Sequence, residues 1–364
     1  MKYSYFIFRL NIIKTIFILL FPVYHSLFGT IRLVSPENNA SVTITNTKIQ
    51  DWWDHYEKNQ AVKMARKKEF CRPEPVLLCW TLDSSSDGSH GHKYDIYLST
   101  HPDFKNAKVF HTRKNYLKVY NLFRGTKYYW KVTGRKSGNS CTSMTNMFYT
   151  KDCARTIRIK GAYNTRDIGG YRTSSGKKVR QGMVYRSGNF DSVKKEGKKV
   201  VQELGIKTQL DLRKPGEGMV GHKTLPVDNY IHLRGSSYKR ILKSRKRRDR
   251  VAKIMRVFTD KNNYPVVFHC IYGRDRTGTL SFLLNGMLGV SKKDLYRDYE
   301  LTFLSKHSSS VPNRKMRQFN KLYHKMSCYK DPSRSLEYNI EAFLLDTGLT
   351  RKELNTIEKI MLEN

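Results

Sequence analysis

The chain is short of acid. Only 31 Asp and Glu stand against 68 Lys and Arg, a formal charge of +37 over 364 residues. The excess runs along the whole length and implies attraction to polyanions: nucleic acid, anionic lipid headgroups, or acidic and phosphorylated partners. No segment has the pattern of a nucleic-acid-reading module, so specific nucleic-acid recognition is set aside. Long apolar runs are also missing. The apolar stretch Thr15–Phe21 stops at Pro22, well short of the ~20 residues that span a bilayer. No metal site and no cofactor is expected. What is present, 39% hydrophobic and 12% aromatic residues, suffices for packed cores, and the length accommodates two domains.

Cysteine is sparse and unevenly placed. Cys71, Cys79, Cys141 and Cys153 precede residue 154, while Cys270 and Cys328 follow it. The first four admit two disulfides in three connectivities. Cys328 is left over, either inert or a resolving thiol. Residues 1–29 read as a secretory signal, with basic Lys2, Arg9 and Lys14 before the apolar run and Ser26 and Gly29 as small residues at candidate cleavage positions. Cleaved or retained as an anchor, it directs the remainder out of the cytosol.

Residues 30–153 read as all-β. Val76–Trp80, His92–Ser99 and Lys127–Val132 are short apolar or alternating runs separated by Gly, Pro, Asn and Asp clusters, the spacing of a sandwich. Trp80, the run Tyr94–Ser99 and the turn Asn121–Tyr128 resemble a fibronectin type III-like domain. The resemblance implies a buried Trp80 and a Tyr128 hydroxyl bonded back to the main chain. Such domains serve as spacers or binding modules. Gln50–Phe70 departs from that pattern and reads as a partly helical insertion. Its Trp52, Trp53 and Tyr56 are expected either to be exposed, lining a sugar or partner site, or to pack on the sandwich.

Residues 154–364 change to α/β, with strands and helices alternating as in a parallel-rich sheet flanked by helices. The centre of this half is Val266–Gly278. An apolar strand ends at His269, Cys270 follows, and five residues later come Arg276, Thr277 and Gly278, opening an apolar helix. A helix N-terminus and a turn of loop amides form an anion site. A thiol at its base is favoured as the nucleophilic thiolate, and Arg276 supplies a bidentate fork for phosphate oxygens.

Four segments, Asn164–Tyr171 with Tyr185–Gly188, Gly205–Arg213, His269–Gly278 and Leu288–Tyr299, together resemble the tyrosine/serine protein phosphatase family known from secreted bacterial dual-specificity and lipid-active enzymes. One departure is visible: Arg274 stands where the family usually has Lys. The resemblance implies Cys270 as nucleophile and a phosphate loop of Ile271, Tyr272, Gly273, Arg274, Arg276 and Thr277. It also implies a cysteinyl-phosphate intermediate. His269 orients the loop, Thr277 donates to the sulfur, and Arg166 and Asp167 shape the floor of the site. Two carboxylates are candidates for the general acid, Asp275 inside the loop and Asp211 near the end of the Thr208–Arg213 strand. The expected partners are a phosphorylated protein or a phosphoinositide. Lys239–Arg250, with eight basic residues and one acid, is either a mobile lid that meets an anionic membrane surface or a solvated, disordered face. The competing reading is a catalytically idle phosphate- or polyanion-binding or adhesion protein.

Overall fold

The computed structural model describes residues 30–64, 72–83, 92–136, 139–306 and 311–363. The expected leader and Cys71 lie outside them. In chain order the first half contains β1 (Thr30–Ser35), β2 (Ala40–Val42), α1 (Thr47–Asp54), α2 (Gln60–Met64), β3 (Val76–Asp83), β4 (Lys93–Ser99) and β5 (Lys108–Thr112). It continues with β6 (Tyr116–Val119), β7 (Lys127–Lys136), β8 (Asn139–Thr142) and β9 (Asn146–Thr150). These strands form a sheet β1-β3-β6 and a second sheet β2-β9-β7-β4-β5, with β8 also on β7. Strand residues alternate between faces, so Ile31, Leu78, Trp80, Ile96, Trp130 and Phe148 meet in one core shared by both sheets. The Tyr128 hydroxyl accepts the Phe123 N–H at 2.8 Å, as expected, and burial pushes its phenol up to about 12.

Two expectations fail in this half. Cys79, Cys141 and Cys153 are free thiols. Cys79 lies on β3 and Cys141 on β8, in different sheets, and Cys153 is packed in the core of the other half, so the two-disulfide scheme does not hold. Trp52 and Trp53 are not exposed, and they sit in the core of the second half, with Trp53 touching the sandwich only at Arg124 of the Asn121–Tyr128 turn among the described residues. Asn46 caps α1 through the Ile49 N–H, and the helix buries Ile49, Trp52 and Trp53, with Ala61 of α2, among the helices of the second half. The sequence boundary at 153/154 separates the strands from the α/β pattern, but this insertion crosses it.

The second half runs β10 (Arg166–Asp167), β11 (Val184–Ser187), α3 (Lys195–Glu203), β12 (Thr208–Asp211), β13 (Asn229–His232), α4 (Arg245–Arg256), β14 (Val266–His269) and α5 (Asp275–Met287). It ends with α6 (Lys292–Glu300), α7 (Pro312–Ser327), α8 (Leu336–Asp346) and α9 (Arg351–Met361). The sheet order is β10-β11-β14-β12-β13. β11, β14, β12 and β13 are parallel and β10 is antiparallel. Strand β14 lies at the centre and reads as a continuous apolar run because both its faces are covered. Val267 packs with Ile159 and Val201 on the α3 side, and Val266 and Phe268 pack with Ile254 and Leu284 on the other. This sandwiching holds the C-terminal end of β14, and Cys270 with it, at one fixed height above the sheet.

Tyr128→Phe removes the acceptor for a half-buried main-chain N–H while leaving the ring packing intact. It should lower unfolding free energy by about 1–3 kcal/mol, read as a shifted urea midpoint with unchanged slope.

Candidate active site

Cys270 follows the last residue of β14 and is 3% exposed. The chain then turns sharply into α5. Gly273 takes φ +63° there, and a Cβ on it would stand 2.5 Å from the main chain of Ser187, so only glycine fits. The carbonyls of this turn are drawn outward. Tyr163 Oη and the Asn189 N–H donate to Ile271 O at 3.0 Å each. Asn164 Nδ2 donates to Tyr272 O at 3.0 Å and Gly273 O at 3.1 Å, and Arg186 Nη2 reaches Gly273 O at 2.8 Å. The N–H groups are therefore left on the inside of the turn. Among the described residues, those of Ile271, Gly273, Arg274, Asp275 and Arg276 donate to no protein acceptor. That is an anion cradle at a helix N-terminus.

Arg276 flanks the cradle. Its Nη1 is held by Leu212 O at 3.2 Å and Glu217 Oε2 at 2.6 Å, leaving Nε and Nη2 without a protein partner among the described residues. Burial would raise the Glu217 carboxyl, but the Arg276 bond and charge, together with the Lys214 N–H and charge, bring it below the usual range. The loop itself is held by a buried carboxylate. Asp298 of α6 takes Arg166 Nε on Oδ1 at 2.8 Å, and Ser281 Oγ on Oδ2 at 2.9 Å together with Arg186 Nη1. Arg166 Nη1 continues to Asn164 Oδ1 at 2.5 Å. Both routes from Asp298, through Arg186 and through Arg166–Asn164, end on loop carbonyls. Burial would raise the Asp298 carboxyl, yet Arg186 and Arg166 bring it to about 2.

The remaining expected residues divide. Arg166 reaches the loop through Asn164. Asp167 does not reach it: its carboxylate takes Arg155 Nη1 at 2.5 Å and the Gly169 and Gly182 N–H groups. His269 is fully buried, and burial lowers it to about 4, so it is neutral. Gln209 Nε2 donates to its Nε2 at 3.0 Å, leaving Nδ1–H toward Cys270 O at 3.4 Å. Thr277 Oγ1 is buried without a hydrogen-bond partner among the described residues, so no bond to the sulfur is formed. Arg274 does not extend into the cradle. It pairs with Asp275 at 3.2 Å and lies 5.4 Å from the Tyr272 ring centre.

The two acid candidates stand in different places. Asp211 is fully buried and its carboxylate is taken up by Arg213 at 2.8–3.1 Å and Tyr230 Oη at 3.0 Å. A donor to a leaving group needs access, and Asp211 has none. Asp275 is the first residue of α5, with its side chain 22% exposed. Burial would raise its carboxyl, but Arg274, the Tyr238 hydroxyl and Lys315 bring it below the usual range. Lys315 is 3.1 Å away.

Asp275 and Arg276 open onto a cleft of about 650 Å³ between α4 and α7. Lys239–Arg250 is ordered as a 3-10 turn and the first turns of α4, so it is neither disordered nor a detached lid. It lines the cleft with Arg234, Arg314, Lys315 and Lys321. Arg234, Arg240, Arg247, Arg250, Arg314 and Lys321 meet no carboxylate among the described residues. Sequence reasoning missed Asn164, Arg186, Glu217 and Asp298 as functional. Asn164, Arg186 and Asp298 lay in segments already singled out. Glu217 follows the end of β12 in a turn that only the fold brings to Arg276.

The profile of the tyrosine phosphatase family matches residues 157–363, more than half of the chain. A protein of Cupriavidus necator, provisionally named a tyrosine-protein phosphatase, is 31% identical over 163 residues, 37% of this chain and 59% of that protein. The chain thus spans less than two thirds of that relative. The solved fibronectin type-III domain of human fibronectin type III domain containing protein 3 is 26% identical, over 22% of this chain and 74% of that one, with a TM-score of 0.19.

Asp298, at about 2 when folded against ~3.9 unfolded, contributes stability that is complete above about pH 4 and lost as pH falls through 2. Asp298→Asn strands two buried guanidinium groups and should cost about 3–5 kcal/mol. Urea unfolding near neutral pH should show that loss, and the gap to wild type should narrow as the pH is lowered toward about 2.

Proposed function

Because the chain belongs to the tyrosine phosphatase family, we propose that it is a cysteine-dependent phosphomonoesterase acting on phosphotyrosine. The observation that carries this reading is the set of unpartnered loop N–H groups beside Arg276, at the foot of which Cys270 ends the central strand. Three equatorial phosphate oxygens match several fixed donors and one guanidinium, and fixed donors stabilise developing charge without reorganisation. A phosphate entering this site competes with Glu217 for Arg276.

In the first step the Cys270 thiolate attacks phosphorus in line. The P–S bond forms, the bond to the leaving oxygen breaks, and that oxygen takes a proton from Asp275. The Asp275 carboxyl is held low in the free protein. A bound phosphate brings negative charge beside it, opposing Arg274 and Lys315 and favouring the protonated form. In the second step the Asp275 carboxylate takes a proton from water, the hydroxyl attacks phosphorus, and the P–S bond breaks to release inorganic phosphate and the thiolate. The buried Thr277 hydroxyl is the donor available to that sulfur.

The cationic cleft beside Arg276 favours substrates that carry further negative charge, which extends the reading to phosphoinositides and to anionic membrane surfaces. The N-terminal unit is proposed to be fibronectin type III-like, supported by its two-sheet strand order and the Tyr128 bond to the main chain. An extracytoplasmic location rests on the basic and apolar start of the chain alone.

A panel of phosphotyrosine peptide, phosphoserine peptide and phosphoinositide vesicles tests the substrate range, with phosphotyrosine turnover expected and absence of turnover on every member overturning the reading. Cys270→Ser should abolish turnover while still binding substrate. Asp275→Asn should lower kcat by about 10²–10⁴-fold on substrates with alkyl leaving groups. It should do so far less on an aryl phosphate whose leaving group needs no proton. Equal losses on both would remove Asp275 from the acid role.

A further inference from the structure

The helix α6 stands between two things that sequence distance separates. On one face it holds the supports of the phosphate loop. Asp298 binds Arg166 and Arg186. Tyr299 packs against Gly278, and its hydroxyl meets Tyr238 Oη at 2.6 Å. The Tyr238 hydroxyl in turn donates to Asp275. On the other face the same helix meets the insertion of the N-terminal unit. Arg297 Nη2 donates to Trp53 O at 2.5 Å, and its guanidinium lies 4.8 Å and 5.3 Å from the ring centres of Trp53 and Tyr56. Glu300 is fully buried, with Oε1 accepting from Tyr56 Oη at 2.8 Å and the Asn59 N–H at 3.0 Å.

The insertion is bound too firmly for an incidental contact. Ile49, Trp52, Trp53 and Ala61 are at most 3% exposed and share one core with the helices of the second half. Arg124, also buried, lies 5.2 Å from the Trp53 ring and 4.4 Å from the Tyr171 ring, and donates to Gly170 O at 3.0 Å. The family match begins at residue 157, so none of the residues on the insertion side lies within it. A buried carboxylate facing a neutral hydroxyl and two amides of the insertion, those of Asn59 and Ala61, with Lys58 as the nearby cation, is a costly arrangement for packing alone. Its geometry depends on these partners being in place.

We infer that the insertion 47–64 is a positioning element for the phosphate loop, acting through Arg297 and Glu300 on α6 and so on Asp298 and its two arginines. Arg297 and Glu300 touch neither substrate nor nucleophile. They set where the helix lies, and the helix sets the loop carbonyls that keep the N–H groups turned inward. The inference rests on the phosphatase reading for its kinetic consequence, but its geometric consequence concerns Cys270 alone.

The test uses the full chain with Glu300→Ala, Glu300→Gln and Tyr56→Phe, the last a mild variant that removes a single hydroxyl. Three quantities are measured: kcat and KM on phosphotyrosine peptide, the pH dependence of Cys270 alkylation by iodoacetamide, and the melting temperature. Misplacement of a cradle by a fraction of an ångström should lower kcat in Glu300→Ala on the order of tenfold with little change in KM. The alkylation midpoint should move to higher pH as the amide ring loosens. Glu300→Gln, which keeps a carbonyl acceptor, should restore both, and Tyr56→Phe should show the same changes in smaller measure. Lower melting temperatures with unmoved kcat and alkylation midpoint in Tyr56→Phe and Glu300→Ala would overturn the inference. Should wild type turn over no phosphorylated substrate, the phosphatase reading fails by itself, and the alkylation midpoint still decides the positioning role.

Discussion

Asp298 has two arginines to satisfy, and much of the site follows from how it does so. A carboxylate this deeply buried is costly unless its partners are held in good geometry with their remaining donors used. Here they are. Arg166 spends its other nitrogens on Asn164 and the Asp298 carbonyl, and Arg186 spends its second on Gly273 O. The cluster is therefore a branched joint, one carboxylate on a helix setting two strand residues, each of which leads to the Cys270–Arg276 loop. Buried ion pairs of this kind are poor stabilisers when compared with apolar packing. They are well suited to fixing direction, because a guanidinium fork tolerates little rotation.

Direction is what the loop requires. Its geometry consists of N–H groups aimed at a common centre, and a peptide unit aims its N–H inward only when its C=O is held outward. Tyr163, Asn164, Arg186 and Asn189 do that holding, from segments distant in sequence. The central strand supplies the complementary constraint by anchoring Cys270 at the end of a fully buried run. Between them, the sheet fixes Cys270 and the Asp298 cluster fixes the amides. The neutral, buried His269 belongs to the first of these, since its contacts with Gln209 and Cys270 O join the strand end to its neighbour.

The same economy explains why the two halves of the chain are not independent. The N-terminal unit buries its own core, yet its insertion lends Ile49, Trp52 and Trp53 to the other half. Arg124 and Arg155 also cross between them, the latter donating to Asn121 O and Leu122 O. Interfaces of this buried, apolar kind resist relative motion, unlike the polar contacts of loosely tethered domains.

Local pattern determined a good deal. The apolar run Val266–Phe268, the Cys270 to Arg276 spacing and the apolar helix after it mark the strand, the thiol at its end and the turn of free amides, because each is a property of consecutive residues. The alternating runs of the N-terminal unit and the corner at Tyr128 are equally local. Tertiary structure alone decided the rest. Asp298 lies 132 residues from Arg166 and 112 from Arg186, and no periodicity marks a charge that is buried only because its partners arrive from elsewhere. Asp211 and Asp275 look alike as carboxylates beside a cleft until burial by Arg213 and Tyr230 closes one and the start of α5 exposes the other. The tryptophans of the insertion show the same limit: their spacing calls for an apolar partner, and only the fold names it. The Cys270–Arg276 loop was thus legible as an anion site from its own residues, whereas what keeps its amides pointed at the anion is assembled from across the chain.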